Sequence, residues 1–145
     1  MQIKKITEKD IIELNKIIKT EFSYTNFTND KLIEKINLSN FYLIKLIDKS
    51  KLIGFLEIEQ IDNEKARLNA IYIDNKYRRK GLATKLINNG LKQSKKNGIK
   101  TIFLLVKEKN DIAKKVYEKN GFNYTKEHDK IIENSVIEIY EKTLF

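Results

Sequence analysis

The chain has 145 residues, with 29 Lys and Arg against 20 Asp and Glu, a formal charge of +9, no cysteine and no proline. Without cysteine there is no disulfide framework, thiolate nucleophile or Cys-based zinc site, so any chemistry falls to oxygen and nitrogen groups. The basic balance invites a nucleic-acid role, but the lysines run through every segment among the acids, which argues against nucleic acid as the main partner. The N-terminus lacks the apolar core of a signal peptide, and no apolar run nears the roughly 18 residues that span a bilayer. The expectation is one domain over residues 1–145, soluble and cytoplasmic, with no membrane partner and no metal.

Gln2 to Ile6 alternates and reads as a first strand. Thr7, with Asp10 three residues on, resembles a capping box opening a helix to about Thr20, with Ile11, Ile12, Leu14, Ile17, Ile18 and Phe22 on one face. Glu21 to Phe27 is polar and aromatic and reads as a loop; Thr28 or Asn29 then caps a short helix through Leu32, Ile33 and Ile36. Strands at 40–48 and 52–60 form a hairpin, and a turn at Asp62-Asn63-Glu64 leads into a third strand at 65–73.

The stretch from Asp74 to Thr84 joins that strand to an amphipathic helix through a basic, glycine-containing turn. Leu82, Ala83, Leu86, Ile87, Gly90, Leu91 and Ser94 share one helical face, and Asn97-Gly98 ends the helix. The first N–H groups of a helix have no intrahelical partner, so an anion can satisfy them. Gly81 and Ala83 keep the corner nearly bare, and Arg78, Arg79 and Lys80 add positive field, a pattern suited to a phosphate or pyrophosphate. A strand at 101–106, a helix from Asp111 to Asn120 capped by Asn110 and closed by Gly121, and strands at 122–129 and 135–143 complete the chain. The whole predicts an α/β fold: a mixed, mostly antiparallel central sheet with helices on both faces.

Five glycines cannot be arranged as G-x-G-x-x-G or G-x-x-x-x-G-K-[ST], which removes the dinucleotide and P-loop readings. Arg78-x-x-Gly81-x-Ala83 does match R/Q-x-x-G-x-G/A. Downstream, Asn110-x-x-Ala113-x-x-x-Tyr117-x-x-x-Gly121-Phe122 matches a second pattern in the right order and separation. In these two segments, and from about Leu52 onward, the chain resembles the GNAT (GCN5-related N-acetyltransferase) superfamily.

That resemblance implies the acyl-CoA N-acyltransferase fold, with strands 68–73 and 101–106 splaying as a parallel pair around the pantetheine arm of acetyl-CoA, the co-substrate. It implies cofactor contacts from Ile71, Tyr72 and Ile73 on the strand, from Arg78, Arg79, Lys80, Gly81, Leu82, Ala83 and Thr84 at the turn, and from Asn110 and Tyr117. Backbone groups of Ile71 and Ile73 would bond the arm, and the Tyr117 hydroxyl would protonate the departing thiolate. From pattern alone Tyr117 is a core aromatic and Asn110 a helix cap. Phe22, Tyr24 and Phe27 fall where the resemblance places acceptor contacts, and as plain residues they would pack a loop onto the sheet.

The general base is the departure. Several family members open the strand before the turn with Glu, but Arg67 stands there in this sequence, and a guanidinium cannot take a proton at neutral pH. Glu57, Glu59, Glu138, or water ending at Tyr140, are substitutes, each also readable as a solvated strand residue. An α-amine is about one tenth neutral at pH 7, a lysine-like amine about once in 2,500 molecules, so a weak base suits the first better. The acceptor expected is an amine-bearing small molecule or a protein N-terminus. A non-catalytic acyl-CoA-binding or regulatory module of the same fold is the alternative, and a homodimer stays open.

Overall fold

The computed structural model describes residues 1–22 and 28–145. Along the chain run β1 (Gln2–Lys5), a 3₁₀ turn (Glu8–Asp10), α1 (Ile11–Glu21), α2 (Asn29–Asn37), β2 (Phe41–Asp48), β3 (Lys51–Gln60) and β4 (Lys65–Ile73). A second 3₁₀ turn (Asn75–Tyr77) leads to α3 (Leu82–Lys96), β5 (Thr101–Lys107), α4 (Asp111–Lys119), β6 (Asn123–Glu127) and β7 (Ile137–Thr143). The strands form one seven-stranded sheet in the order β1-β2-β3-β4-β5-β7-β6. Every adjacent pair is antiparallel except β4 and β5. No helix among the described residues is long and apolar enough to cross a membrane.

Alternation along β3 divides the core in two, because successive side chains point to opposite faces. Leu56 and Ile58 join Leu68, Leu86, Ile87, Leu91, Ile102 and Leu104 under α3, with Ala113, Val116 and Tyr117 of α4 packed alongside. Leu52 and Phe55 face Ile11, Leu14, Ile18 and Leu32 of α1 and α2 on the other side. Helices therefore cover both faces. At Gly90 a Cβ would lie 2.5 Å from Leu56 Cδ2 and 2.6 Å from Ile58 Cδ1, so the missing side chain sets how closely α3 approaches the sheet.

Ile12, expected on the inward face of the first helix, is 71% exposed, and Ile112 on α4 is 81% exposed. Each sits at the start of its helix, beyond the edge of the apolar stripe. The Thr7–Asp10 segment opens the 3₁₀ turn rather than α1 itself, with the Thr7 N–H donating to Asp10 Oδ2 at 2.8 Å.

Where β3 meets β4 the register pairs Ile58 with Leu68 and Glu57 with Ala70, which leaves Asn69 as one extra residue, a β-bulge. The bulge turns the strand over. Ala66 and Leu68 before it, and Ile71 and Ile73 after it, pack with α3, whereas Ala70 and Tyr72 pack with α1 and α2. Just ahead of this kink the parallel ladder stops: Lys65, Ala66 and Arg67 pair with Thr101, Ile102 and Phe103, and no pair follows. β5 continues to Lys107 along β7, while β4 bends away after Asn69. The two middle strands thus open from a shared base.

Candidate active site

The turn at the open end of β4 is braced by its own side chains. The Asp74 N–H donates to Ile53 O at 2.7 Å, the Tyr77 N–H to Asp74 O at 2.8 Å, and the Asp74 carboxylate accepts from the Lys76 N–H at 3.0 Å. The Tyr77 hydroxyl reaches back to Asp48 Oδ2 at 3.0 Å, and this hydrogen bond, with burial second, raises the phenol above its usual range. Arg78 Nε donates to Ile73 O at 2.9 Å. Arg79 (φ 63°) and Gly81 (φ 74°) then take left-handed conformations that swing the chain into α3.

The start of α3 is left open. Gly81 is its N-cap and has no side chain to cap with; the first helical bond runs from the Lys85 N–H to Gly81 O at 3.1 Å, so the N–H groups of Leu82, Ala83 and Thr84 precede it. Among the described residues, and apart from its immediate chain neighbours, no atom lies within 4 Å of where a Gly81 side chain would project. No acid occupies the first turn, and Arg78, Arg79 and Lys80 are exposed around it. An anion placed here would meet backbone donors, the positive end of the helix and three cations together.

Along β4 the backbone groups alternate in direction. Asp74 bonds toward β3 and Ile73 O bonds away from it to Arg78, so Ile73, and Ile71 two residues earlier, turn their backbone toward the opening beside β5. Tyr72 points its ring the other way, 5.8 Å from Phe55, which itself lies 5.9 Å from Phe22. Burial, then the charges of Asp74 and Glu21, raise the Tyr72 phenol. Tyr24 and Phe27 lie outside the described residues.

On α4, Asn110 Oδ1 caps the helix by accepting from the Ala113 N–H at 3.2 Å. Tyr117 is half-buried, its ring 6.1 Å from and edge-on to Phe122. Asn120 Nδ2 donates to Thr84 Oγ1 at 3.2 Å and so ties the end of α4 to the first turn of α3. The turn, the opening strands and the tyrosine-bearing helix are one connected assembly.

The sequence pattern of the Acetyltransferase (GNAT) family matches residues 10–122. The chain belongs to this family. It is an acetyltransferase by that membership, and its fold is shared over nearly its whole length by solved structures. One is a PaiA N-acetyltransferase from Thermoplasma acidophilum in complex with coenzyme A, at 26% identity and TM-score 0.80, covering 98% of each chain. Another is Ard1 from Thermoplasma volcanium, at 20% identity and TM-score 0.87, covering 99% of this chain and 97% of that one. A third is the ribosomal-protein-S18-alanine N-acetyltransferase from Escherichia coli, at 19% identity and TM-score 0.79, covering 99% and 93%. No protein of curated function matches the sequence.

In this GNAT chain Glu57, Glu59 and Glu138, the three acids weighed as bases, are each engaged. Glu57 is 8% exposed and accepts from Asn69 Nδ2 at 2.6 Å and from Lys35 Nζ at 3.1 Å. Glu59 Oε1 accepts from the same amide at 3.0 Å. Glu138 lies 2.9 Å from Lys114 on the α4 side, and its hydrogen bond holds the ammonium above its usual range. Tyr140 is buried in the core under α4, and that burial raises its phenol. Sequence reasoning missed the bulge residue Asn69, the Lys35–Glu57 pair and the Asn120–Thr84 tie. Each joins residues far apart in sequence, and only the position of Asn120 within Tyr117-x-x-x-Gly121-Phe122 offered any local signal.

Proposed function

We propose that this GNAT protein is an acetyl-CoA-dependent N-acetyltransferase that moves the acetyl group directly from the thioester to a primary amine on a small molecule or protein N-terminus. The observation that carries it is the glycine-capped, unobstructed start of α3 at the mouth of the opened β4–β5 pair. When bound, acetyl-CoA supplies an activated acyl group on a thiolate leaving group. The N–H groups of Leu82, Ala83 and Thr84 hold the diphosphate, with Arg79 and Lys80 adding field. Ile71 and Ile73 offer their backbone to the pantetheine arm and to the thioester carbonyl oxygen, where negative charge develops. Asn110 contributes the amide nitrogen its capping bond leaves over, and the Tyr117 hydroxyl gives a proton to the departing sulfur. Holding acceptor and thioester together removes much of the entropic barrier.

The residues fit the ligand: donors without acceptors, positive charge, and a corner with room. The test is a coenzyme A titration of the wild type and of Gly81→Val, with free-thiol release from acetyl-CoA over an amine panel. Wild-type binding and turnover, with affinity in the variant lower by 10-fold or more (about 1.4 kcal/mol), is the expected outcome. Equal affinity of the two proteins would reject the turn as the diphosphate site.

A further inference from the structure

Asn120 closes α4 and is anchored through both its backbone and its side chain. Its N–H donates to Val116 O at 3.2 Å and to Tyr117 O at 3.1 Å, and its carbonyl accepts from Lys142 Nζ of β7 at 3.1 Å. The side-chain amide is oriented by Val116 O, which lies 2.8 Å from Nδ2. A backbone carbonyl only accepts, so the amide nitrogen and not its oxygen faces it. That nitrogen also lies 3.2 Å from Thr84 Oγ1 in the first turn of α3, and its second hydrogen goes there.

This fixes the sense of the contact between the two helices. Thr84 Oγ1 accepts from Asn120, and a hydroxyl that accepts keeps its one hydrogen for another partner. Inside a helix a threonine commonly returns that hydrogen to the carbonyl three or four residues back. Among the described residues, however, the bond from Asn120 is the one hydrogen bond of the Thr84 side chain. The O–H is thus an unclaimed, half-buried donor on a residue whose own N–H also precedes the first helical bond of α3. No acid stands in that turn to take it.

We infer that Asn120 is a positioning residue for the co-substrate. By donating to Thr84 it turns the threonine O–H to the diphosphate held by the first turn of α3, and so adds a side-chain donor to the backbone N–H groups of Leu82, Ala83 and Thr84. The same residue ends the helix that carries Tyr117, three positions earlier, so the anion grip and the acid share one anchor. An aspartate at this place would do the reverse: it would take the threonine proton and set a negative charge beside the anion. This rests on the acetyltransferase reading above.

The test is calorimetric titration of the full chain with coenzyme A, together with phosphorus NMR of the bound ligand and melting of the ligand-free variants. Thr84→Val weakens binding about 10-fold or more, the effect of losing one hydrogen bond to a charged group, and Thr84→Ser recovers most of that loss. Asn120→Ala weakens binding about threefold or more and adds nothing once Thr84→Val is in place. Asn120→Asp weakens it further than Asn120→Ala; it keeps the size of the side chain and decides for Asn120 if the alanine variant does not fold. In Thr84→Val and Asn120→Ala the diphosphate resonances of bound coenzyme A move while its ribose phosphate resonance stays. A tie that only braced α4 against α3 would lower the melting temperature and leave those resonances in place. Affinity of Thr84→Val within about twofold of wild type, unmoved diphosphate resonances in Asn120→Ala, or wild-type affinity in Asn120→Asp would overturn the inference and leave the transferase reading standing; failure of the wild type to bind coenzyme A removes both.

Discussion

Arg78 Nε donates to the Ile73 carbonyl at 2.9 Å, folding the first basic residue of the turn back onto the strand it follows. The contact gives Arg78 a different job from Arg79 and Lys80, which make no comparable bond to the backbone among the described residues. One arginine shapes the corner, and its neighbours charge it. Arg78→Ala should therefore lower stability by about 1 kcal/mol, the worth of a charge-assisted bond that is partly solvated, and weaken coenzyme A binding at any ionic strength. Arg79→Ala and Lys80→Ala should leave stability within about 0.5 kcal/mol and weaken binding mainly at low salt. Denaturant melts and coenzyme A titrations at two salt concentrations separate the roles; identical behaviour of all three variants would refute the division.

Tyr117 combines a packed ring with a hydroxyl assigned to the leaving sulfur. The ring meets Phe122 edge-on and lies against the α3-side core, so Tyr117→Phe keeps the packing and removes only the oxygen. Turnover should fall by about 10²-fold or more, within the range of general-acid contributions, while coenzyme A affinity stays within about twofold. Free-thiol release under single-turnover conditions reads the first quantity and calorimetry the second. Turnover equal to wild type would remove Tyr117 from the proton path.

How much of this was legible in the letters depends on the range over which each feature is encoded. α3 was readable to the residue, because Leu86, Ile87, Gly90, Leu91 and Ser94 recur at helical spacing and all are buried. The corner was readable too, since Gly81 and the cations around it lie within a few positions. The bulge at Asn69 was not. It is a mismatch of register between β3 and β4, fixed by which residues face each other, and nothing in Leu68-Asn69-Ala70 marks it. The insertion of β7 between β5 and β6 is equally invisible locally, because two consecutive strands can pair with either one at the sheet. Arg67 shows the cost of that blindness. From the sequence it was only the loss of a base, and its buried, unpartnered Nε emerges once the bulge and the ladder's end are in place.

Gly90 sets how tightly α3 approaches the sheet. An alanine gains about 1 kcal/mol of helix propensity, but its Cβ would lie 2.5 and 2.6 Å from methyls of Leu56 and Ile58, both of which are buried. Overpacking at such a site costs about 1–3 kcal/mol, so Gly90→Ala should be net destabilising by about 1 kcal/mol in urea unfolding. Because relief requires α3 to lift, coenzyme A affinity should fall as well. A stabilised variant with intact affinity would mean that propensity wins and the helix has room.

Five titrating groups among the described residues, Lys114, Tyr77, Tyr42, Tyr72 and Tyr140, are shifted to the alkaline side. Lys114 is raised chiefly by its hydrogen bond to Glu138, Tyr77 chiefly by its hydrogen bond to Asp48, and Tyr42, Tyr72 and Tyr140 chiefly by burial. In each case the folded protein holds the proton more tightly than the unfolded chain does. Their contribution is complete below the unfolded values near 10 and is lost as pH climbs through the higher folded ones. Stability from these groups should then be flat between about pH 7 and 9 and decline above about pH 10. Denaturant unfolding across that range measures it, and Lys114→Met should soften the decline by deleting one of the five contributors. A drop that sets in below about pH 9 would trace to groups other than these.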